Sequence, residues 1–456
     1  MPFQSVDPTT EEVLTSFPAL DRAQIDAALH RAAEGYAAWR LTEIGERGER
    51  LLRLAELLER GKEAYALLMT REMGKPLAEA VAEIEKCAWV CRYYAGEAAE
   101  HLAPQDLESS GTKCWVEYQP LGAVLAIMPW NFPFWQAIRC AAPALMAGNV
   151  VLLKHAPCVP QCAVAIEGLF SRAGFPAGVF QNLFVEIEDL PGVLDHPVVQ
   201  AASLTGSVAA GAALASEAAR RIKTTVLELG GSDPYIVMES ADVDRAVETA
   251  VNARMINNGQ SCIAPKRFLV HEPIAEAFEA GMIEKVSALT MGDPKARGTQ
   301  IGPLARADLR DRVASQVEAS VAAGARAAVG GTVPEREGWF YPPTVLTDIP
   351  EGCPASDEEL FGPVASIFHV ADLDDAIDRA NATDYGLSAA IWTRDEGERD
   401  RAVRDIVAGA VFVNGMSASD PRVPFGGVKK SGYGRELGPH ALREFVNVKT
   451  VWLGHE

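Results

Sequence analysis

The stretch AVLAIMPWNFP occupies residues 123–133 and marks the point where the periodicity of the chain changes. Its first six residues are apolar and few enough for a buried strand, and the prolines that follow fix a rigid loop. Further β-rich runs lie at 150–153, 179–185, 201–204 and 226–229, with Ala-rich helical stretches between them. Strands that alternate with helices in this way predict a parallel, doubly wound sheet.

The chain before this series is predicted to be helical. A helical pattern runs from residue 21 to about residue 100, and four leucines between residues 51 and 58 fall on one helical face. Asp21 is placed to cap the first helix. We expect three long helices in this part of the chain.

A second alternating series follows the turn sequence GGSDP at 230–234. It has helical stretches of its own, so it predicts a second α/β lobe. Its strand-like runs lie at 235–238, 268–271, 364–368, 389–392 and 410–414. The boundary between the lobes is expected after residue 230, because glycine and proline interrupt either periodicity.

Two further β-type segments, 113–119 and 445–453, have no predicted partner close by in the sequence. Left uncovered, two apolar edge strands would favour aggregation. We therefore expect them to form an arm that pairs across subunits of a homo-oligomer.

Composition and charge exclude several classes of protein. The 456 residues are 48% hydrophobic and 23% charged, which indicates large folded cores rather than a disordered chain. Lys and Arg number 42 against 62 Asp and Glu, and the net charge of -20 disfavours a nucleic acid partner. No window approaches 18 uninterrupted apolar residues, so we expect a cytoplasmic protein without a membrane partner. The eight cysteines match no disulfide framework and no four-ligand metal spacing, so no metal is expected.

Three polar residues stand where chemistry is feasible. Cys262 lies in the polar loop NNGQSCIA at 257–264, which presents a thiol better than it buries one. Glu228 ends an apolar strand at a glycine turn, where burial raises the pKa of a carboxyl towards that of a useful general base. Asn131 carries a neutral amide donor that suits an oxyanion. A structural cysteine, a solvated turn acid and a turn amide are the plain alternatives.

A candidate phosphate site follows the strand at 201–204. The run LTGSVAAG at 204–211 opens a helix, where Gly206 permits close backbone approach and Ser207 adds a hydroxyl. This run is neither a GxGxxG fingerprint nor a GxxxxGK[ST] loop. Lys154 ends another strand at the edge where ligands of α/β sheets bind, with a solvated lysine as the alternative.

In chain order, these segments resemble the motifs of the aldehyde dehydrogenase superfamily, and the resemblance covers nearly the whole chain. The opening motif is VDPTTEEV at 6–13, and two late motifs are EELFGP at 358–363 and PFGGVKKSG at 424–432. Between them, in register, lie the PWNFP loop, Lys154, the TGSVAAG turn, the ELGG strand end and the cysteine loop. The complete set overrides the plain alternatives for the single residues.

The resemblance implies two doubly wound parallel-sheet lobes, one for the cofactor and one for catalysis, with a small β oligomerisation arm. By this likeness, residues 1–110 and 120–230 form an NAD(P)-binding domain and residues 231–430 form a catalytic domain. Residues 111–119 and 431–456 form the arm. A homodimer or a homotetramer is the implied assembly.

The resemblance also implies a reaction, the oxidation of a small-molecule aldehyde to its carboxylic acid. Cys262 would attack the aldehyde, Asn131 and the Cys262 N–H would stabilise the oxyanion, and Glu228 would activate the water that hydrolyses a thioester. The residues implied for cofactor binding are Trp130, Lys154, Gly206, Ser207, Gly230, Glu359 and Phe361.

The implied cofactor is NAD or NADP. NAD-preferring relatives often carry a glutamate three residues after the lysine, whereas Pro157 stands at that spacing from Lys154. No carboxylate excludes a 2′-phosphate there, and His155 is a further candidate to attract one. Pro157 offers no hydroxyl donor, so both nucleotides stay open.

The implied substrate class depends on Arg139, which lies in an Ala-rich apolar helix. Its place resembles that of the arginine with which members acting on succinate semialdehyde hold the distal carboxylate. A structural ion pair with an acid of a neighbouring helix is the alternative. Where some members have a second arginine this chain has Ile256, so Arg254 or Arg422 is the candidate substitute. Ser419 completes the candidate substrate set.

We therefore expect oxidation of succinate semialdehyde to succinate through a cysteine thiohemiacetal and a thioester. A broader aliphatic or ω-carboxylic aldehyde dehydrogenase is the first alternative. A non-catalytic member is the second, and intact Cys262, Glu228 and Asn131 argue against it.

Overall fold

The structure is a computed structural model and describes residues 3–454. Its strands are β1 (Phe3–Val6), β2 (Val13–Phe17), β3 (Gln105–Asp106), β4 (Lys113–Pro120), β5 (Ala123–Met128), β6 (Val150–His155), β7 (Phe180–Asn182), β8 (Val199–Thr205), β9 (Thr224–Glu228), β10 (Pro234–Val237), β11 (Arg267–His271), β12 (Arg326–Val329), β13 (Thr344–Thr347), β14 (Val364–Val370), β15 (Ala389–Trp392), β16 (Val411–Val413), β17 (Gly432–Tyr433) and β18 (Val446–Leu453). Its helices are α1 (Arg22–Trp39), α2 (Ile44–Arg60), α3 (Lys62–Met73), α4 (Leu77–His101), α5 (Pro133–Met146), α6 (Pro160–Arg172), α7 (Leu190–Asp195), α8 (Val208–Ala219), α9 (Val243–Met255), α10 (Glu272–Ser287), α11 (Ala307–Ala322), α12 (Pro354–Asp357), α13 (Leu373–Asn381), α14 (Glu396–Asp405) and α15 (Gly438–Ala441).

The first sheet has six strands in the order β17-β9-β8-β5-β6-β7. Neighbouring strands are parallel except β17 and β9. The direction in which the sheet grows reverses between β5 and β8, and doubly wound sheets bind ligands at the carboxyl ends of strands beside such a reversal. β5 leads into the PWNFP loop and β8 into the TGSVAAG turn. The topology therefore brings both candidate segments to one crevice.

The second sheet has seven strands in the order β12-β13-β14-β11-β10-β15-β16. Only β12 runs antiparallel to its neighbour, so the sheet is parallel with one reversed edge strand. Central strands such as β10 and β15 are buried at every residue, as strands with both faces covered require. Residues 229–233 connect β9 of the first sheet with β10 of the second. The expected pair of doubly wound lobes is thereby confirmed.

The helical region before the first sheet holds four helices, α1 to α4, and the expected number of three is wrong. Gly61 ends α2, and Gly74 ends α3 in the left-handed region with φ of 81°. Asp21 does cap α1, because its side chain accepts a hydrogen bond from the Gln24 N–H in a complete capping box. Within residues 3–454, no helix combines the length and the apolar character that a membrane crossing needs.

The arm is a three-stranded sheet in the order β18-β4-β3. β18 pairs antiparallel with β4 along its whole length, from Val446 opposite Pro120 to Leu453 opposite Lys113. The expectation that these segments pair across subunits is therefore wrong for this structure, since each strand covers the other within one chain. Residues 432–433 also differ from the arm assigned to 431–456, because β17 pairs with β9 in the first sheet. Assembly through the arm stays a prediction.

A disulfide can test the pairing of the arm. Trp452 lies directly opposite Cys114, and facing antiparallel residues have Cα separations that a disulfide spans. Trp452→Cys should therefore form a bridge with Cys114 after mild oxidation, and the denatured, unreduced chain should keep the mass of one subunit. Leu453→Cys is the matched control, because neighbouring strand residues point to opposite faces. A covalent dimer from Trp452→Cys would instead show pairing between subunits.

Candidate active site

A cavity of about 820 Å³ opens at the crevice predicted by the strand order. Both lobes contribute to its wall, which includes the loops after β5, β8 and β9, the cysteine loop, and a segment of the second lobe before β14. The candidate residues that line it are Trp130, Asn131, Gly206, Ser207, Gly230, Cys262, Glu359 and Phe361. The structure thus brings together both the thiol and most of the candidate cofactor residues.

The other candidates do not line this cavity: Lys154, Glu228, Arg139, Arg422 and Ser419. The surroundings of each of these residues decide what it can do. Across residues 3–454, no three His, Cys, Asp or Glu side chains are grouped so that they could hold a metal ion.

The N-terminus of α8 faces the cavity through Ser207, Val208 and Ala209. Ser207 caps the helix, because its hydroxyl oxygen accepts a hydrogen bond of 3.3 Å from the Ala210 N–H. The first N–H groups of a helix have no partner within it and attract anions. This end of the cavity therefore fits a phosphate group.

Gly230 faces the loop that carries Glu359 and Phe361. A Cβ atom at Gly230 would lie 2.4 Å from a Glu359 carboxylate oxygen, so a larger residue there would displace the Glu359 side chain. The other oxygen of that carboxylate accepts the Gly231 N–H at 3.1 Å. The rings of Trp130 and Phe361 lie 5.9 Å apart, edge to face. These contacts make a narrow slot with one carboxylate, which suits a hydroxylated, planar ligand.

The loop that presents Cys262 has a strained backbone. Asn257 and Asn258 both adopt left-handed conformations, with φ of 57° and 56°. The Glu79 carboxylate accepts the Asn257 N–H at 2.6 Å. The Asn258 amide donates to the carbonyls of Gly74 and Pro303. Asparagine tolerates this region better than most residues, so the sequence and its partners fix the loop.

Asn131 is tied to the same loop. Its Nδ2 donates to the Gln260 carbonyl at 3.1 Å, and the Asn257 amide donates to the Asn131 carbonyl at 2.8 Å. An amide nitrogen carries two hydrogens, so one remains for an oxyanion. The PWNFP loop and the cysteine loop therefore hold Asn131 and Cys262 as one unit.

The Cys262 thiol is partly exposed to the cavity, and it rests in the neutral form. Desolvation raises its pKa to about 11, while the positive charges of Lys266 and Arg139 act in the opposite direction. The Lys266 ammonium donates to the carbonyls of Ser261 and Cys262 at 2.9 and 2.6 Å and lies 3.4 Å from Glu359. Lys266 is thus a cation beside the nucleophile that the sequence interpretation missed.

The Glu228 carboxyl is buried, and neither oxygen has a hydrogen-bond partner in the described residues. Burial raises its pKa well above the usual range, and the negative charge of Glu436 adds to this, whereas Arg139 and Arg435 oppose it. The expected burial at a strand end is found. The environment thus displaces the pKa of Glu228 in the direction that a general base requires.

Arg139 is buried and forms an ion pair through Nε with Glu436. Its guanidinium also lies over the Phe425 ring, 4.9 Å from the centroid. The expectation of an arginine free for substrate is therefore corrected: the alternative of an internal ion pair is realised, with an acid after β17 rather than on a neighbouring helix. Nη2 is buried and has no hydrogen-bond partner within residues 3–454, so one side of the guanidinium lacks an acceptor.

Neither suggested second arginine is free. Arg254 is completely buried, and its guanidinium donates to the carbonyls of Gly259, Leu360, Gly362 and Val364. Such a residue joins two loops and cannot reach a substrate. Arg422 is exposed and is held by both oxygens of the Asp420 carboxylate at 2.9 and 2.6 Å.

Lys154 and His155 are buried within β6 rather than exposed at its end. Burial lowers the pKa of the Lys154 ammonium, and Glu186 opposes the effect. His155 bonds the Pro133 carbonyl at 2.9 Å, and burial lowers its pKa to about 4. The imidazole is therefore neutral near pH 7 and does not attract a 2′-phosphate, contrary to the expectation.

The sequence interpretation missed three residues that hold the site, Glu79, Lys266 and Glu436; it named Arg254 only as a candidate for the substrate and quoted Asn257 only as part of the cysteine loop. The Asn-Asn-Gly run carried a usable signal, since this composition favours left-handed backbone. The acids and cations carried none, because their partners come from distant parts of the chain.

Comparison with known proteins gives one consistent result. The sequence profile described as the aldehyde dehydrogenase family matches residues 1–451. A probable succinate-semialdehyde dehydrogenase [NADP(+)] of Synechocystis sp. is 49% identical over 453 residues, covering 99% of this chain and all of the relative. Succinate-semialdehyde dehydrogenase [NADP(+)] 1 of Mycobacterium tuberculosis is 52% identical over 456 residues, with the same coverage. The crystal structure of the Streptococcus pyogenes succinic semialdehyde dehydrogenase with NADP+ superposes with a TM-score of 0.97 at 34% identity, covering 99% of this chain and all of that one.

Alkylation can test the resting state of the thiol. The thiolate is the reactive form, so with a pKa near 11 the rate of Cys262 labelling by iodoacetamide should rise about tenfold per pH unit between pH 7 and 10. Mass spectrometry of the Cys262 peptide in cofactor-free protein measures this rate, with Cys262→Ala as the control. A rate that levels off below pH 9 would contradict the described environment.

Proposed function

The chain belongs to the aldehyde dehydrogenase family, and from this premise we propose that it oxidises succinate semialdehyde to succinate with NADP+ as hydride acceptor. One observation supports the reaction type: Cys262 and Asn131 line the same cavity as the N-terminus of α8, which is preceded by Gly206. The substrate and the nucleotide are supported by relatives that share about half of all residues over the full chain and bear that name.

The geometry supports a set of roles for the residues. Cys262 loses its proton to solvent water in the cavity, and its sulfur forms a bond to the aldehyde carbon while the C=O electron pair moves to the oxygen. The second Asn131 amide hydrogen and the Cys262 N–H bind that oxyanion. When the oxyanion collapses, the carbon loses its hydrogen with the electron pair and a thioester to Cys262 remains. Glu228 then takes a proton from water, whose oxygen attacks the thioester carbon, and the thiol and the acid are released.

The residues present fit a nicotinamide dinucleotide. The cavity of about 820 Å³ is large enough, α8 offers free N–H groups to a pyrophosphate, and the Glu359 carboxylate is placed for ribose hydroxyls. The bound nucleotide supplies the acceptor for the hydride. Trp130 and Phe361 would hold its flat ring near Cys262, and Pro157 leaves no carboxylate to repel a 2′-phosphate.

A second candidate function is the oxidation of aldehydes without a distal carboxylate. The ion pair between Arg139 and Glu436 favours it, because a compensated guanidinium attracts an anion less than a free one. The unpartnered Nη2 of Arg139 and the names of the relatives favour the first proposal.

We also propose that the enzyme is a cytoplasmic homo-oligomer. Val448, Trp452 and Leu453 on the arm are between 45% and 58% exposed, which supports burial of β18 in a homodimer or homotetramer. All eight cysteines are free thiols, which fits the reducing cytoplasm.

Initial rates with a panel of aldehydes and both nucleotides test the substrate and the cofactor. At pH 7, kcat/KM for succinate semialdehyde should exceed that for butanal by about 10- to 100-fold, the value of one or two charged hydrogen bonds. NADP+ should give the higher value with either aldehyde. Equal kcat/KM values for the two aldehydes would support the second candidate function. A preference for NAD would contradict the proposed use of NADP+.

Two substitutions test the assigned roles in pre-steady-state kinetics. Cys262→Ala should abolish oxidation while the nucleotide still binds, as measured by fluorescence. Glu228→Gln should give a burst of reduced nucleotide followed by a stall, because thioester formation precedes the step that needs the base. A full steady-state rate in either variant would remove that residue from its role.

A further inference from the structure

The cations expected to hold a distal carboxylate are all partly or wholly engaged by other groups, but a further ammonium, that of Lys86, lies near them. Lys86 lies on α4, on the side of that helix that faces α5 and the loop between β16 and β17. It is half-buried, so it is reachable by a ligand. Its helix carries no candidate residue from the sequence interpretation.

The Lys86 ammonium is held by two residues. Nζ donates to the Ser419 hydroxyl oxygen at 2.6 Å and lies 4.6 Å from the centroid of the Trp135 ring. The Arg139 guanidinium lies 6.0 Å from the centroid of that ring. Both cations therefore contact Trp135, which lies one helical turn before Arg139 on α5.

This cluster is close to the nucleophile. The charge of Arg139 acts both on the Cys262 thiol and on the Lys86 ammonium. Trp135 and Arg139 lie on α5, which begins two residues after Asn131, and Asn131 lines the cavity together with Cys262. The cluster therefore adjoins the Asn131 side of that cavity.

The cluster of Lys86, Ser419 and Arg139 contains hydrogen-bond donors without acceptors. The Lys86 ammonium has three donors, and Ser419 accepts one of them. Ser419 keeps its own hydroxyl hydrogen to donate, and Arg139 Nη2 has no partner within residues 3–454. Donors from three elements of the fold thus remain without an acceptor at one place, and a carboxylate supplies acceptors only.

We propose that Lys86 is a specificity-determining residue that binds the distal carboxylate of the substrate through its ammonium, together with the Ser419 hydroxyl and Arg139 Nη2. This inference rests on the proposed oxidation of a carboxylate-bearing aldehyde. It assigns the charge recognition mainly to α4, because Arg139 forms an ion pair with Glu436, whereas within residues 3–454 Lys86 forms no ion pair and the acids Glu83 and Asp420 act on it only at longer range.

The charges around Lys86 make this recognition dependent on pH. Burial lowers the pKa of Lys86 to about 8; Arg139 contributes in the same direction, while Cys87, Glu83 and Asp420 oppose it. A group with a lowered pKa loses its charge as pH rises through that value. Binding of a carboxylate by Lys86 should therefore be complete near pH 7 and weaken above about pH 8.

The test compares succinate semialdehyde with butanal in Lys86→Met, which keeps the length and removes the charge. The ratio of the two kcat/KM values should fall by about 10- to 100-fold, through KM for succinate semialdehyde. Lys86→Arg should recover most of the ratio. Lys62→Met is the matched control, because Lys62 bonds Glu85, the neighbour of Lys86, at the surface. The control should keep the ratio of the parent.

The pH profile of the parent protein gives a second readout that needs no variant. KM for succinate semialdehyde should rise above about pH 8, whereas KM for butanal should not, and Lys86→Arg should move the rise to higher pH. A purely structural Lys86 would penalise both aldehydes alike in Lys86→Met and would leave the two parent profiles parallel. Either result overturns the inference.

The two levels of the proposal fail differently. If the parent prefers succinate semialdehyde but Lys86→Met keeps the full preference, the role of Lys86 is wrong and the proposed function stands. If the parent shows no preference between the aldehydes, the proposed substrate is wrong and this inference is overturned with it.

Discussion

The buried guanidinium of Arg254 is the interaction on which the geometry of the site depends. Four carbonyls accept from it, one in the cysteine loop and three between residues 360 and 364. A buried arginine must be fully hydrogen-bonded, so these two loops have a strong reason to stay together. The first presents Cys262 and the second carries Glu359 and Phe361, which means that one side chain holds the candidate nucleophile beside the candidate cofactor residues.

Burial disfavours the charged form of both candidate reactive groups. Desolvation raises the pKa of the Cys262 thiol to about 11 and that of the Glu228 carboxyl well above its usual range. The two groups differ in their charged neighbours. The positive charges of Lys266 and Arg139 act to lower the pKa of Cys262, whereas the negative charge of Glu436 adds to the rise in the pKa of Glu228. An anionic ligand or a developing oxyanion therefore meets a site that has cations but no competing thiolate. Charge forms there only when bond making begins, which is when preorganised donors stabilise it most.

Much of this fold was predictable from the sequence, because local pattern decides strands buried on both faces. Runs such as Ala123–Met128 and Ala389–Trp392 became strands with those bounds. Two details were not predictable: the pairing of β18 with β4 within one chain rather than across subunits, and the identity of the acid that pairs with Arg139. Register between distant segments and the choice of Glu436 depend on the three-dimensional path of the chain. The left-handed Asn257 and Asn258 lie between these cases, since their composition signals a turn but not its partner Glu79.

The charge balance of the whole chain explains why selectivity would reside in one lysine. With a net charge of -20, the surface repels small anions, and nearby acids or carbonyls occupy most cations around the site. Glu436 pairs with Arg139, Asp420 with Arg422, and Glu359 with Lys266. Each pairing holds a side chain in place but also reduces its attraction for a substrate carboxylate. Lys86 is held instead by a hydroxyl and an aromatic face, which fix its position without cancelling its charge. A cation positioned by neutral groups retains its field for the ligand, and that property distinguishes a recognition residue from a structural one in this site.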